Sequence, residues 1–300
     1  DDHPVLATST DGVGTKVAIA QALDRHDTIG FDLIGMLVDD LVVVGAEPLF
    51  VTDYIATGKV VPERIAAIVS GIAAACEVAG ASLLGGETAE HPGLLDPDEY
   101  DIAGATTGVV ERSAILGPER VLPGDVVVAL ASSGLHSNGY SLVRHVLLER
   151  AGWSLDRDVP ELGTTLGETL LTPTRVYARD ILALIETAPV HAISHITGGG
   201  LANNLVRVLP AGVRATLRRD SWTPAPIFTL VQGVGAVPQL DLEATLNMGV
   251  GMALVVPQGS VDALLREAAA RGLAPWVLGE VTAQDAAQDP AAVELVGQHA

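Results

Sequence analysis

Within one short run, Thr10-Asp11-Gly12-Val13-Gly14-Thr15-Lys16 places a carboxylate, two glycines and a lysine ahead of an apolar helical stretch. The glycines Gly12 and Gly14 let a ligand approach the backbone. The helix start after Thr15 favours an anion, Lys16 adds positive charge, and Asp11 can hold Mg²⁺. The run is not a dinucleotide fingerprint, because Val17 stands where the third glycine belongs. A plain Asp-Gly turn accounts for the same residues equally well.

Two further glycine-bearing stretches follow expected strands. Gly85-Gly86-Glu87 brings a carboxylate next to backbone that a metal or phosphate can reach, with a hairpin-like bend as the competing reading. Thr197-Gly198-Gly199-Gly200 follows the segment His191–Ile196 and reads as a phosphate cradle. His191 and His195 share a face at strand spacing, yet no cysteine or third histidine is near enough to make zinc the expectation. Ser132–Gly139 is the densest in donors: Ser133, Gly134, Ser137 and Asn138 surround His136. One Ser or Asn is enough to cap a helix, so this loop reads as recognition of a phosphate or amide, with His136 as acid, base or hydrogen-bond donor.

Other candidates are weaker. Asp39 and Asp40 adjoin inside an apolar helical stretch, where helical geometry separates their side chains by roughly 100° and directs only one toward any site. Thr57-Gly58-Lys59 resembles the end of a P-loop, but Asp53 replaces the first glycine and Val60 the magnesium-binding hydroxyl.

Elements must position these residues, and in the first half strands and helices alternate. Strands are expected at Val5–Thr8, Leu49–Ile55, Ser82–Leu84 and Ile102–Val110. Helices are expected at Lys16–Arg25, at Asp32–Val44 and from Pro62, at a first-turn position, to near Gly80. Ser113–Gly124, with two Gly-Pro pairs in either order, breaks the pattern. The expected domains are therefore 1–115 and 116–300. The second cycle has strands Asp125–Leu130, His191–Ile196, Val213–Arg218, Gly251–Val256 and Trp276–Val281. Its helices are Tyr140–Arg150, Thr174–Thr187, Leu201–Val208 and Val261–Arg271. The fold class is α/β (α+β) with two domains.

Composition narrows the function. The 300 residues carry 17 basic and 37 acidic side chains, a net charge of −20, which leaves little basic surface for nucleic acid or anionic membrane. A small phosphorylated ligand remains compatible, because Mg²⁺ and backbone amides hold phosphates locally. The single cysteine, Cys76, excludes an internal disulfide framework and reads as a small core residue. The apolar run Ile65–Cys76 is too short to span a bilayer, no signal peptide is visible, and the cytoplasm is the expected compartment.

Taken together, the blocks STDGVGTK (Ser9–Lys16), DLVVVGAEP (Asp40–Pro48), YIATGK (Tyr54–Lys59), GGETAE (Gly85–Glu90), SSGLHSNGYSL (Ser132–Leu142), HAISHITGGG (His191–Gly200) and NMGVGM (Asn247–Met252) resemble the aminoimidazole ribonucleotide synthetase (phosphoribosylformylglycinamidine cyclo-ligase) family, in that family's order. The resemblance runs essentially from Asp1 to the C-terminus. It implies ATP and Mg²⁺ as cofactors, with Asp11, Asp40 and Glu87 around the metal and Gly12, Gly14, Thr15 and Lys16 beside the nucleotide. It also implies substrate contacts from Thr57, Gly58, Lys59, Ser133, Gly134, Ser137, His195 and Thr197–Gly200. His136, Asn138 and Asp11 are the implied catalytic residues, His136 or Asn138 orienting the substrate amide. The implied fold pairs two α/β domains, two first domains sharing a β-barrel in a homodimer. The implied reaction is ATP-dependent cyclisation of formylglycinamidine ribonucleotide to aminoimidazole ribonucleotide, a step of de novo purine biosynthesis.

The sequence departs from the family at Asp39, usually Asn, and at His91, often Met. Family members carry a further segment before the first block, with a Gly-rich loop and basic residues covering ATP, so an upstream segment is expected. Two alternatives stand beside this reading. Another ATP-using superfamily member, such as a small-molecule kinase or selenophosphate synthetase, would ignore the formylglycinamidine substrate. A non-catalytic nucleotide-binding protein would bind ATP without forming ADP.

Overall fold

The computed structural model describes residues 3–286 and 288–299, which form a mixed α/β fold. By packing, the chain divides into two compact units. Unit 1 holds the described residues up to Val42, together with Ala46–Arg112 and Ser133–Arg179. Unit 2 holds Val43–Gly45, Ser113–Ser132 and the residues from Asp180 onward. Residues 133–179, which the sequence assigns to the second domain, thus pack with the first.

Unit 1 is built on a four-stranded sheet in the order β1-β4-β2-β3, with β1 (Pro4–Gly12), β2 (Glu47–Thr57), β3 (Ser82–Glu90) and β4 (Tyr100–Glu111). Strand β4 runs antiparallel to β1 and β2, and β3 runs parallel to β2. Helices α1 (Val17–Leu23), α2 (Ile29–Val42) and α3 (Pro62–Ala79) complete the first stretch. Leu33, Leu37 and Leu41, four residues apart, form one buried stripe of α2. That stripe packs on Gly104 and Gly108 of β4, whose lack of side chains admits it. Pro62 opens α3 where its missing N–H costs nothing, and Gly80 closes it in the left-handed region, its amide reaching Cys76 O and Glu77 O. Helices α2 and α3 meet so closely that a Cβ on Gly30 would lie 2.1 Å from Ile72 N.

Two strands are longer than the sequence suggests. Asp11 belongs to β1, paired with Gly104, and Gly85–Glu90 is the outer part of β3 rather than a loop after it. A register shift at Val51/Thr52 takes up the irregularity around Gly85, so parallel pairing continues to Glu90. The expected helix from Thr174 starts only at Ala178. The intervening backbone is held by side chains instead: Asp32 accepts the Thr174 amide and Asp39 the Tyr177 amide.

The rest of unit 1 contains α4 (Tyr140–Arg144), which runs on as a π-helical turn at His145–Arg150. The small hairpin β6 (Asp158–Val159)/β7 (Thr164–Thr165) and α5 (Leu166–Leu170) follow. Unit 2 centres on a six-stranded sheet ordered β12-β9-β11-β5-β10-β8. Its strands are β5 (Val126–Ala131), β8 (Ala192–His195), β9 (Val213–Arg218), β10 (Val250–Val256), β11 (Pro275–Ala283) and β12 (Ala292–Val296). Every pairing is antiparallel except β12 with β9. Helices α6 (Ala178–Thr187), α7 (Gly200–Leu205), α8 (Pro226–Gly235), α9 (Gln239–Glu243) and α10 (Val261–Ala270) accompany it. The central strands β5 and β10 are apolar throughout, as burial on both faces demands.

Candidate functional site

Unit 1 contains a cleft of about 450 Å³ lined by two segments that the sequence singled out, Asp11–Thr15 and Ser137–Ser141, with Met36 and Asp101–Ala103 completing the wall. The first segment leaves the end of β1, turns at Gly14 (φ +71°) and enters α1 through a short 3-10 turn. The second precedes and opens α4. They are tied together directly. Ser137 Oγ donates to Val13 O at 2.9 Å, and the Thr15 and Ser141 hydroxyls lie 3.3 Å apart. Asp11 Oδ1 accepts the Gly12 amide at 2.7 Å, which fixes its exposed carboxylate at the mouth. Asn138 stands in the wall, its Nδ2 3.3 Å from Met36 Sδ.

The cleft therefore gathers Asp11, Gly12, Gly14, Thr15, Ser137 and Asn138, and the other candidate residues do not line it. Lys16 is fully buried. Its Nζ donates to Asp32 Oδ1 at 2.6 Å, His136 O at 3.0 Å and Thr172 O at 2.6 Å, so its three N–H groups are all engaged within the fold. Burial pushes the Lys16 pKa down and the Asp32 pKa up, while the mutual attraction of the pair opposes both shifts.

His136 is only 1% exposed and does not line the cleft. Its Nε2 accepts the Ser133 amide at 3.1 Å. The ring braces its loop through this contact. Ser133 is a second brace: its Oγ donates to Pro173 O at 2.7 Å and accepts the Arg175 amide at 3.1 Å. Thr57 is buried, and its hydroxyl donates to Lys59 O. A Cβ on Gly58 would fall 1.9 Å from Asp96 O, so that glycine serves a backbone contact inside the fold. Lys59 is exposed at the end of β2.

Of the adjacent pair on α2, Asp39 is buried and accepts the Tyr177 amide at 2.9 Å, whereas Asp40 is exposed. Glu87 is exposed on edge strand β3, with Oε1 on the Thr88 amide. Neither Asp40 nor Glu87 lines the cleft. Among the described residues, no three His, Cys, Asp or Glu side chains are placed together to hold a metal ion.

The Thr197–Gly200 loop lies in unit 2. Gly199 and Gly200 both adopt positive φ, and the Gly200 amide closes a turn on Thr197 O. A residue that sequence reasoning passed over organises it: Asn204 Nδ2 lies 3.3, 3.1 and 2.8 Å from the carbonyl oxygens of Thr197, Gly198 and Gly200. The available signal was an amide one helical turn beyond a glycine run. His195, expected among the substrate contacts, is buried in β8 opposite Met252, and His191 pairs with Asp125 at 2.7 Å.

Comparison with known proteins adds three findings. The model of the AIR synthase related protein N-terminal domain matches residues 1–110, and that of the C-terminal domain matches residues 123–288. A phosphoribosylformylglycinamidine cyclo-ligase of Anaeromyxobacter sp. (strain Fw109-5) is 53% identical over 280 residues, which cover 93% of this chain and 81% of the relative. One from Brevibacillus brevis is 50% identical over 282 residues, covering 94% and 82%. Among solved structures, the thiamine-monophosphate kinase of Stenotrophomonas maltophilia K279a superposes with TM-score 0.67 at 20% identity, over 99% of this chain and 86% of that one. The hydrogenase maturation protein HypE in complex with ATP gives 0.66 at 20% identity, over 97% and 82%. At that identity the two structures speak for the fold alone.

Proposed function

This chain belongs to the AIR synthase related family as a phosphoribosylformylglycinamidine cyclo-ligase, and from that premise we propose how its residues divide the work. The protein catalyses ATP-dependent closure of formylglycinamidine ribonucleotide to aminoimidazole ribonucleotide, releasing ADP and phosphate in de novo purine biosynthesis. One observation carries the assignment to a site: Asp11–Thr15 and Ser137–Asn138 line a single cleft.

In this reading Gly12, Gly14 and Thr15 present backbone and hydroxyl groups to the ATP phosphates, with Asp11 at the mouth. Exposed Asp11, Asp40 and Glu87 are hard oxygen donors, as Mg²⁺ prefers, but they do not form a cage by themselves. These acids fit an ion that keeps waters and phosphate oxygens, which Asp11 would help hold at the cleft. Bound Mg²⁺ would neutralise charge on the transferring phosphoryl group.

Asn138 takes the orienting role on the substrate amide that the buried His136 cannot fill. A formamide oxygen is a poor nucleophile, so fixing its direction toward the γ-phosphorus is where the cleft contributes most. After transfer, attack by the amidine-side nitrogen at the same carbon expels that oxygen as phosphate and closes the five-membered ring. Thr197–Gly200 of unit 2, with carbonyls gathered by Asn204, is the proposed phosphate-binding loop. The exposed face of the unit 1 sheet pairs with a second copy to give a homodimer, and the cytoplasm is the site of action.

ADP release measured with and without formylglycinamidine ribonucleotide tests the reading. Turnover that depends on this substrate is the expected result. ADP formation indifferent to it would point to a kinase with another acceptor, and ATP binding without ADP to a binding protein.

A further inference from the structure

Thr15 is one residue from Lys16, and Ser137 is one residue from His136; both line the cleft. The fully buried Lys16 ammonium, one residue beyond the first wall, donates to the carbonyl of His136, one residue before the second, and also to the Thr172 carbonyl and to Asp32 on α2. Asp32 Oδ1 also accepts the Thr174 amide at 3.0 Å and the Thr174 hydroxyl at 2.7 Å. Four segments therefore converge on one buried ion pair.

From this convergence we infer that Lys16 is a positioning residue that makes ordering of the nucleotide wall, Asp11–Thr15, and of the substrate wall, Ser137–Asn138, mutually dependent. The inference rests on the reading of the cleft given above. An ammonium has three N–H groups, and here each has a protein acceptor, so neither wall can shift without stranding a buried donor or carbonyl. Such a break is costlier than at the surface, because water cannot replace the lost partner. A ligand that fixes one wall thus lowers the ordering cost for a ligand on the other, and by linkage the effect is reciprocal.

The test is calorimetric. Affinity for a non-hydrolysable ATP analogue with Mg²⁺ is measured with and without saturating formylglycinamidine ribonucleotide, and the substrate's affinity with and without the analogue. In the wild type each ligand should tighten the other within the range of about 5- to 150-fold that is typical of coupled sites. K16M should bring both ratios to about one. Because K16M leaves Asp32 buried without its cation, the double variant K16M/D32N is the decisive protein. It should regain thermal stability while the ratios stay near one, an outcome that a merely structural pair would not give. Recovery of the wild-type ratio in the double variant overturns the inference, as does a wild type that binds both ligands with no coupling. A wild type that binds neither ligand overturns the reading of the cleft, and the inference with it.

Discussion

Asp32 and Asp39 stand about two turns apart on α2, and each accepts a backbone amide from one segment, Asp32 from Thr174 and Asp39 from Tyr177. Seven residues of spacing put both carboxylates on the same side of the helix. Residues 172–177 are consequently held outside any helix by side-chain acceptors, although their apolar continuation suggests helix.

The Asp39 contact makes a direct stability prediction. D39A strands the buried Tyr177 amide and should cost about 1–3 kcal/mol. D39N keeps an acceptor oxygen at the same place and should stay within about 1 kcal/mol of wild type. Urea unfolding of the three proteins checks the order, and equal losses for D39A and D39N would show that charge rather than acceptance matters.

For the nucleotide, D11N should weaken binding of Mg²⁺-ATP by about tenfold or more, with the melting temperature nearly unchanged because the carboxylate is exposed. Calorimetry on D11N, D40N and E87Q separates the cleft acid from the two outside it. Retention of full affinity in all three would remove these acids from metal binding.

Asn138 and His136 should behave differently. N138A is expected to lower kcat on the order of 10²-fold, with small change in ATP affinity, as for loss of a positioned group. H136A removes a buried ring and the acceptor of the Ser133 amide, so its first effect should be a lower melting temperature. A melting curve beside each kcat distinguishes the two. An N138A enzyme with normal kcat would return the amide-orienting role to another residue.

Alkaline pH should loosen unit 1. Burial raises the Cys76 thiol from 9.0 to about 11, and burial likewise raises the hydroxyls of Tyr100 and Tyr140. A group whose folded pKa lies above its unfolded value adds stability that is complete below the unfolded pKa and lost as pH rises through the folded one. For Cys76 that window runs from about 9 to about 11. The urea midpoint should fall across it, and less steeply in C76A. A parallel fall in both proteins would assign the loss to the tyrosines alone.

Assembly can be read from the sheet surface. Leu6 of β1 and Leu84 of β3 are 69% and 64% exposed, and Tyr54 of β2 is also exposed. Register through Ala103 puts Tyr54 on the same face as Gly12, and strand alternation adds Leu6 to that face. A second copy is the proposed cover, because a sheet with two edge strands and an apolar face invites pairing. L6K/L84K should sediment as a monomer where the wild type sediments as a dimer. A wild-type monomer at micromolar concentration would contradict the proposal.

Much of this was legible in the residues. Pro62 and Gly80 bracket α3 because each has a backbone preference that acts locally. The two loops of the cleft were recognisable separately by their glycines and hydroxyls. Their meeting was not, since it depends on pairing residues more than a hundred positions apart, as in Ser137 with Val13. Lys16 reads as a phosphate charge in sequence because spacing cannot show burial, and nothing in the spacing links it to Asp32. Gly85–Glu90 looked like a loop because paired glycines weaken strand propensity, which the ladder to β2 overrides.

The Lys16 hub also fixes when this unit can be finished during synthesis. Lys16 and His136 are 120 residues apart, and Lys16 and Thr172 are 156 apart. The four-stranded sheet is complete in sequence by Glu111, yet the Thr174 donors to Asp32 leave the ribosome 63 residues later. At roughly 5–20 residues per second that interval lasts several seconds. Throughout it the nascent sheet holds a lysine and an aspartate whose remaining partners do not yet exist. Unit 1 therefore lacks, while its four strands are already made, the groups that complete the Lys16–Asp32 hub, and those groups follow the strand β5 of unit 2 in the chain.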